Sequence, residues 1–138
     1  MGSYSFKILP HPSDVKLQIT ASTKEELFQG ALAGMASIID AELSKKTQIV
    51  KENIEVQSLD FDTLLVDFLN EVLAKTDISH AVFNKLKIKK LTDNFFQTEI
   101  EGQKSDYFGQ EIKAVTHHGL KIKQDKSGYY QVIILFDI

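Results

Sequence analysis

The stretch that decides the fold is Tyr129-Tyr130-Gln131-Val132-Ile133-Ile134-Leu135-Phe136-Asp137-Ile138. From Val132 to Phe136 it is unbroken apolar sequence, rich in β-branched side chains. A strand apolar on both faces is expected to be covered on both, which makes this an interior strand of a sheet. It ends abruptly in Asp137, with the carboxylate of Ile138 next in line, so anionic groups sit at the end of the most hydrophobic segment.

Working outward, the segments around it alternate between strand and helix patterns. Tyr4, Phe6 and Ile8 share one face of a first strand, which halts at Pro10-His11-Pro12-Ser13-Asp14. The two prolines stiffen that loop, on which His11 and Asp14 are expected to lie. Val15, Leu17 and Ile19 alternate with polar residues as a half-buried second strand. Ser22-Thr23-Lys24-Glu25 has the spacing of a capping box and opens an amphipathic helix, about Thr23 to Ile39. Gly30 and Gly34 within it point to close packing. Asp40 to Lys46 is polar and reads as a loop, and Gln48 to Gln57 as a third strand.

Ser58 or Asp60 caps a second helix, about Asp60 to Lys75, whose stripe Phe61, Leu64, Leu65, Phe68, Leu69, Val72 and Leu73 has the 3.6-residue period. Asp60, Asp67 and Glu71 fall on one flank of the stripe, where they form a solvated ridge or hold a cation or basic partner. Leu86 and Ile88 alternate with Lys85, Lys87 and Lys89, and Phe95 to Glu101 returns as a hairpin partner. The lysine row fits the charged side chains that guard an edge strand. Gly102 to Gly109 reads as a polar connection leading to Glu111–Leu120 and the final strand. The expected architecture is a two-layer α/β (α+β) domain over residues 1–138. It has a mixed sheet with both helices packed on one side.

Composition narrows the function. The 138 residues are 43% hydrophobic, enough for one proper core, and carry a net charge of -3 with no cysteine. Disulfides and thiolate metal sites are excluded, and a reducing cytoplasm fits. No apolar stretch approaches the roughly 20 residues that span a bilayer, so no membrane partner is expected. All 16 basic residues are lysines. Without arginine's bidentate fork, sequence-specific nucleic-acid binding is not expected. His117 and His118 are adjacent, and on a strand such neighbours point to opposite faces and cannot ligate one ion. No nucleophile elbow, phosphate loop or helical His-Glu-x-x-His is present. Oxygen donors are better candidates: Asp14, Asp137 and the Ile138 carboxylate suit a hard cation such as calcium or magnesium.

The blocks His11-Pro12-Ser13-Asp14-Val15, Ser22-Thr23-Lys24-Glu25-Glu26-Leu27-Phe28, Leu64–Glu71, Glu111-Ile112-Lys113-Ala114-Val115-Thr116-His117-His118-Gly119-Leu120 and Phe136-Asp137-Ile138 together resemble the archease family, in order, from about residue 4 onward. The family's first block has the form Asp-His-Thr-Ala-Asp. Here Pro10 replaces its first acidic residue and Pro12 its threonine, and Phe68 stands where tryptophan is common. The resemblance implies a non-enzymatic partner protein of RNA metabolism. Such proteins assist a tRNA-splicing RNA ligase of the RtcB class by promoting guanylylation of the ligase and its repeated turnover. Some are linked instead to a tRNA cytosine methyltransferase, in a chaperone-like role. It also implies a divalent cation on Asp14, Asp137 and Ile138, and assigns the motif lysine to Lys113. A stand-alone metal-dependent phosphoryl or nucleotide hydrolase using the same carboxylates is the alternative, opposed by the missing base and arginine.

Overall fold

The computed structural model describes residues 3–10, 12–43 and 48–138. Strands β1 (Tyr4–Pro10) and β2 (Asp14–Ala21) lead into helix α1 (Lys24–Ile39) and the short β3 (Ala41–Leu43). Then come β4 (Ile49–Gln57), helix α2 (Phe61–Ser79), β5 (Ala81–Leu91) and β6 (Phe95–Phe108). Three strands close the order: β7 (Ala114–Thr116), β8 (Lys123–Gln124) and β9 (Tyr130–Asp137). The expected two-helix α+β architecture is present, and its sheet is resolved into two. Sheet I runs β1-β2-β9-β7, with β8 also on β9; in sheet II, β6 pairs with β3, β4 and β5. All pairings among the described residues are antiparallel.

Both helices bury their stripes against these sheets. Leu27, Phe28, Ala31, Leu32 and Met35 of α1 and Leu64, Leu65, Phe68, Leu69 and Val72 of α2 are all buried. The rings of Phe28, Phe68 and Phe96 meet where α1, α2 and β6 converge, at centroid distances of 4.7 to 5.7 Å. Gly34 lets α1 lie directly on β2: a Cβ there would come within 2.6 Å of the Leu17 side chain. The close packing expected of the helix glycines is therefore seen.

Several sequence expectations need correction. Asp14 opens β2 instead of lying on the proline loop, and His11 lies outside the described residues. The segment after α1 contains β3, a three-residue strand too short to announce itself by alternation. Of the loop expected over 40–46, residues 44–46 lie outside the described set. The supposed connection from Gly102 belongs to β6, which runs on to Phe108. Gly102 is needed there because a Cβ would collide with the backbone carbonyl of Val82 on β5, beside a register shift between Phe83 and Lys85. The β9 strand is interior by pairing, flanked by β2 and by β7 and β8, but not covered on both faces. Val132, Ile134 and Phe136 are buried, whereas Ile133 on the other face is 49% exposed. Among the described residues no helix is long and apolar enough to cross a membrane.

Candidate functional site

The candidate residues converge at one end of sheet I, and strand register brings them there. β2 and β9 are antiparallel, with Asp14 opposite Asp137, Lys16 opposite Leu135 and Gln18 opposite Ile133. Directly paired residues share a face, so the two carboxylates are cross-strand neighbours on the outward face. On the other side of β9, Asp137 pairs with Ala114 of β7. Lys113 precedes β7, and its backbone N–H donates to the Asp137 carbonyl at 2.7 Å. Its side chain is exposed, while that of Ile112 before it is buried. Ile138 packs partly buried against the core. Asp14, Asp137, Lys113 and Ile138 are thus gathered from three separated stretches of chain. Two neighbouring carboxylates are hard oxygen donors of the kind calcium and magnesium take. Among the described residues no group of three or more His, Cys, Asp or Glu side chains comes together in metal-binding fashion. A cation here would draw on the two aspartates, on the Ile138 carboxylate and on water.

The segment carrying Lys113 is fastened to α2 by polar contacts that the sequence reading missed. Asn70 grips β7 with both ends of its amide. Nδ2 donates to the Val115 carbonyl and Oδ1 accepts from the Val115 N–H, each at 2.9 Å. A signal was available: Asn70 lies four residues after Val66 and three before Leu73, a polar residue beside the buried stripe. Asp62 Oδ1 accepts the Ile122 N–H at 3.1 Å. The acidic flank is also partly engaged. Asp67 accepts from Ser58 Oγ at 2.7 Å and faces His117 Nε2 at 3.5 Å.

His117 and His118 lie beyond β7 at a turn, instead of on a strand as expected. The order serine–aspartate–histidine puts the carboxylate in the middle, so the imidazole is not aimed at the hydroxyl as in a serine–histidine pair. Asp60 caps α2, its Oδ1 accepting the Thr63 N–H at 2.7 Å. That backbone hydrogen bond, then one from the Thr63 side chain, lowers the Asp60 pKa. A smaller contribution comes from nearby His117.

Comparison with known proteins gives one answer throughout. The family model described as the Archease protein family (MTH1598/TM1083) matches residues 6–138. The protein archease of Methanosarcina barkeri (strain Fusaro / DSM 804) is 28% identical over 138 residues, covering 94% of each chain. That of Pyrococcus furiosus is 29% identical over 135 residues, 93% of this chain and 94% of its own. Among solved structures, an archease from Thermotoga maritima described as a possible chaperone superposes with a TM-score of 0.68 at 20% identity, covering 96% of each chain. Protein 1598 of Methanobacterium thermoautotrophicum gives 0.66 at 21% identity, over 96% of this chain and 98% of its own. These two structures share the fold, and with the family pattern running through nearly every element described above, the chain belongs to the archease family.

Proposed function

We propose that this chain is an accessory protein, not itself an enzyme, that acts in the cytoplasm on a tRNA-splicing RNA ligase of the RtcB class. It promotes guanylylation of the ligase and its return for further turnovers. The observation that carries the reading is the register of Asp14 opposite Asp137, with Lys113 tied through its backbone to the same aspartate. An acidic pair and a mobile ammonium at one sheet end suit work on a phosphate-bearing centre held by another protein. Asp14, Asp137 and the Ile138 carboxylate would hold calcium or magnesium, which when bound supplies a concentrated positive charge for phosphate oxygens. Lys113 adds a compact charge on a long stem, able to follow those oxygens as the ligase closes. The clamp of Asn70 on Val115 keeps that stem's root fixed. The description of the Thermotoga maritima relative as a possible chaperone supports action on another protein. A chaperone-like role toward a tRNA cytosine methyltransferase draws on the same description.

The test is single-turnover guanylylation of the cognate ligase with wild type, Lys113→Ala and Asp137→Ala. Wild type should accelerate the step and both variants should lose the acceleration while remaining folded, since exposed substitutions shift stability by under about 0.5 kcal/mol. No acceleration of an active ligase by folded wild type would refute the reading.

A further inference from the structure

The outward faces of the two sheets differ in how their charges are settled. On sheet II three of the lysines meet polar partners on the sheet itself: Lys51 and Lys85 flank Glu101 at 3.8 and 3.9 Å, and Lys89 reaches Asn53. On sheet I, Lys7 lies opposite Gln18, Lys16 between Leu9 and Leu135, and Lys123 opposite Gln131. Lys121 and Lys123 line a shallow depression of about 420 Å³ floored by Gln18, Gln131 and Ile133. None of these four lysines forms an ion pair among the described residues. The carboxylates in register on this face, Asp14 and Asp137, lie at one end. At its centre Ile133 is half exposed, with Leu135 next to it on β9 partly buried and Leu9, also partly buried, across Lys16 on β1. A chain of net charge -3 thus leaves one sheet face positive around an aliphatic centre.

We infer that this face is a protein-docking surface, and that its occupant is a patch of the ligase with an aliphatic centre and a carboxylate rim. The inference rests on the functional reading above. Charge complementarity sets the rim, since unpaired lysines around a desolvating centre call for carboxylates. The centre decides against RNA. Single-stranded nucleic acid is held by a basic groove together with aromatic side chains on which its bases stack, and the outward register positions of sheet I carry no aromatic residue. Isoleucine and leucine bury best against the aliphatic side chains of a protein. The face runs without a break into the Asp14–Asp137 end, so a ligase seated on it lies against the proposed working residues.

The experiment measures dissociation constants of the cognate ligase by fluorescence anisotropy for wild type, Ile133→Glu, and a fourfold lysine-to-glutamate variant at 7, 16, 121 and 123. Matched thermal melts verify folding. A wild-type titration in salt and Ile133→Ala provide readouts that do not depend on charge reversal. Ile133→Glu should weaken binding about 10-fold or more. The fourfold variant should weaken it further, and wild-type affinity should fall as salt rises. If wild type accelerates guanylylation while all variants bind as it does, the docking surface is elsewhere and the functional reading stands. If the fourfold variant loses only binding to a labelled single-stranded RNA, the face is a nucleic-acid surface and the inference is overturned. If wild type neither binds nor activates the ligase, the functional reading falls and this inference with it.

Discussion

At the N-terminus of α2, one carboxylate gives the protein a readable acid dependence. Asp60 is held below its ordinary value of 3.8, first by the Thr63 backbone N–H and then by the Thr63 hydroxyl. A group with a lowered folded pKa contributes stability above its unfolded pKa and loses it as pH falls through the folded value. Melting temperature followed from about pH 5 to about pH 2 should therefore drop more steeply for wild type than for Asp60→Asn, which still caps the helix but does not titrate. Parallel curves would mean that Asp60 is not the group responsible. The start of α1 marks how far residue-level reading reaches. Two hydroxyls and two glutamates stand side by side, so Ser22 with Glu25 and Thr23 with Glu26 satisfy the same spacing. The structure uses Thr23, whose Oγ1 accepts the Glu26 N–H at 3.0 Å. Ser22 is occupied elsewhere, its Oγ accepting the Ser3 N–H at 2.8 Å. Nothing local could separate the two, because the deciding partner, Ser3, lies just before β1.

At the scale of elements, strong periodicity was the reliable guide. α2 was expected to about Lys75 and continues to Ser79, ending at His80 in the left-handed region with φ of 50°. Its stripe is internal from Leu64 to Leu73, with Phe68 edge-to-face against Phe96 at 4.9 Å and Leu69 inaccessible to solvent. Leu69→Ala and Phe68→Ala should each cost roughly 2–5 kcal/mol in urea unfolding, through lost contacts and the cavity left behind. Losses under about 0.5 kcal/mol at both positions would contradict the packing described. Elements without an unambiguous period were read less well. β3 was missed because three residues cannot display alternation, and β6 was cut short because a glycine inside a strand looks like its end. The physical demand on Gly102, close approach of the β5 backbone, exists only once the two strands are paired. In β9 the apolar run correctly signalled an interior strand, but paired edges and covered faces are separate properties. The second was absent at Ile133.

For the whole molecule, the candidate site is a product of topology. Asp14 and Asp137 stand at opposite ends of the sequence, and no spacing rule links them; β2–β9 register does. Their chemistry was legible beforehand, their adjacency was not. Such adjacency has a thermodynamic signature. Neighbouring carboxylates repel, and a cation that binds them in the folded state stabilises that state. Melting temperature should therefore rise with added calcium or magnesium, fall back on chelation, and be insensitive to both in Asp137→Ala. A wild-type melting temperature unmoved by saturating metal would remove the cation from the functional reading.

The same pairing sets an order of events during synthesis. Ala21 pairs with Tyr130, so more than a hundred residues are made between the two partners. The β5–β6 hairpin can close as soon as it emerges, since its strands meet across a three-residue turn. The edge of β2 that will receive β9 must wait, bare, while both helices and the six strands β3 to β8 are translated. An uncovered row of backbone donors and acceptors invites the wrong strand. For the nascent chain, the interval before β9 arrives is the window of greatest exposure to misassembly, and a pause in translation just upstream of Tyr130 would lengthen it.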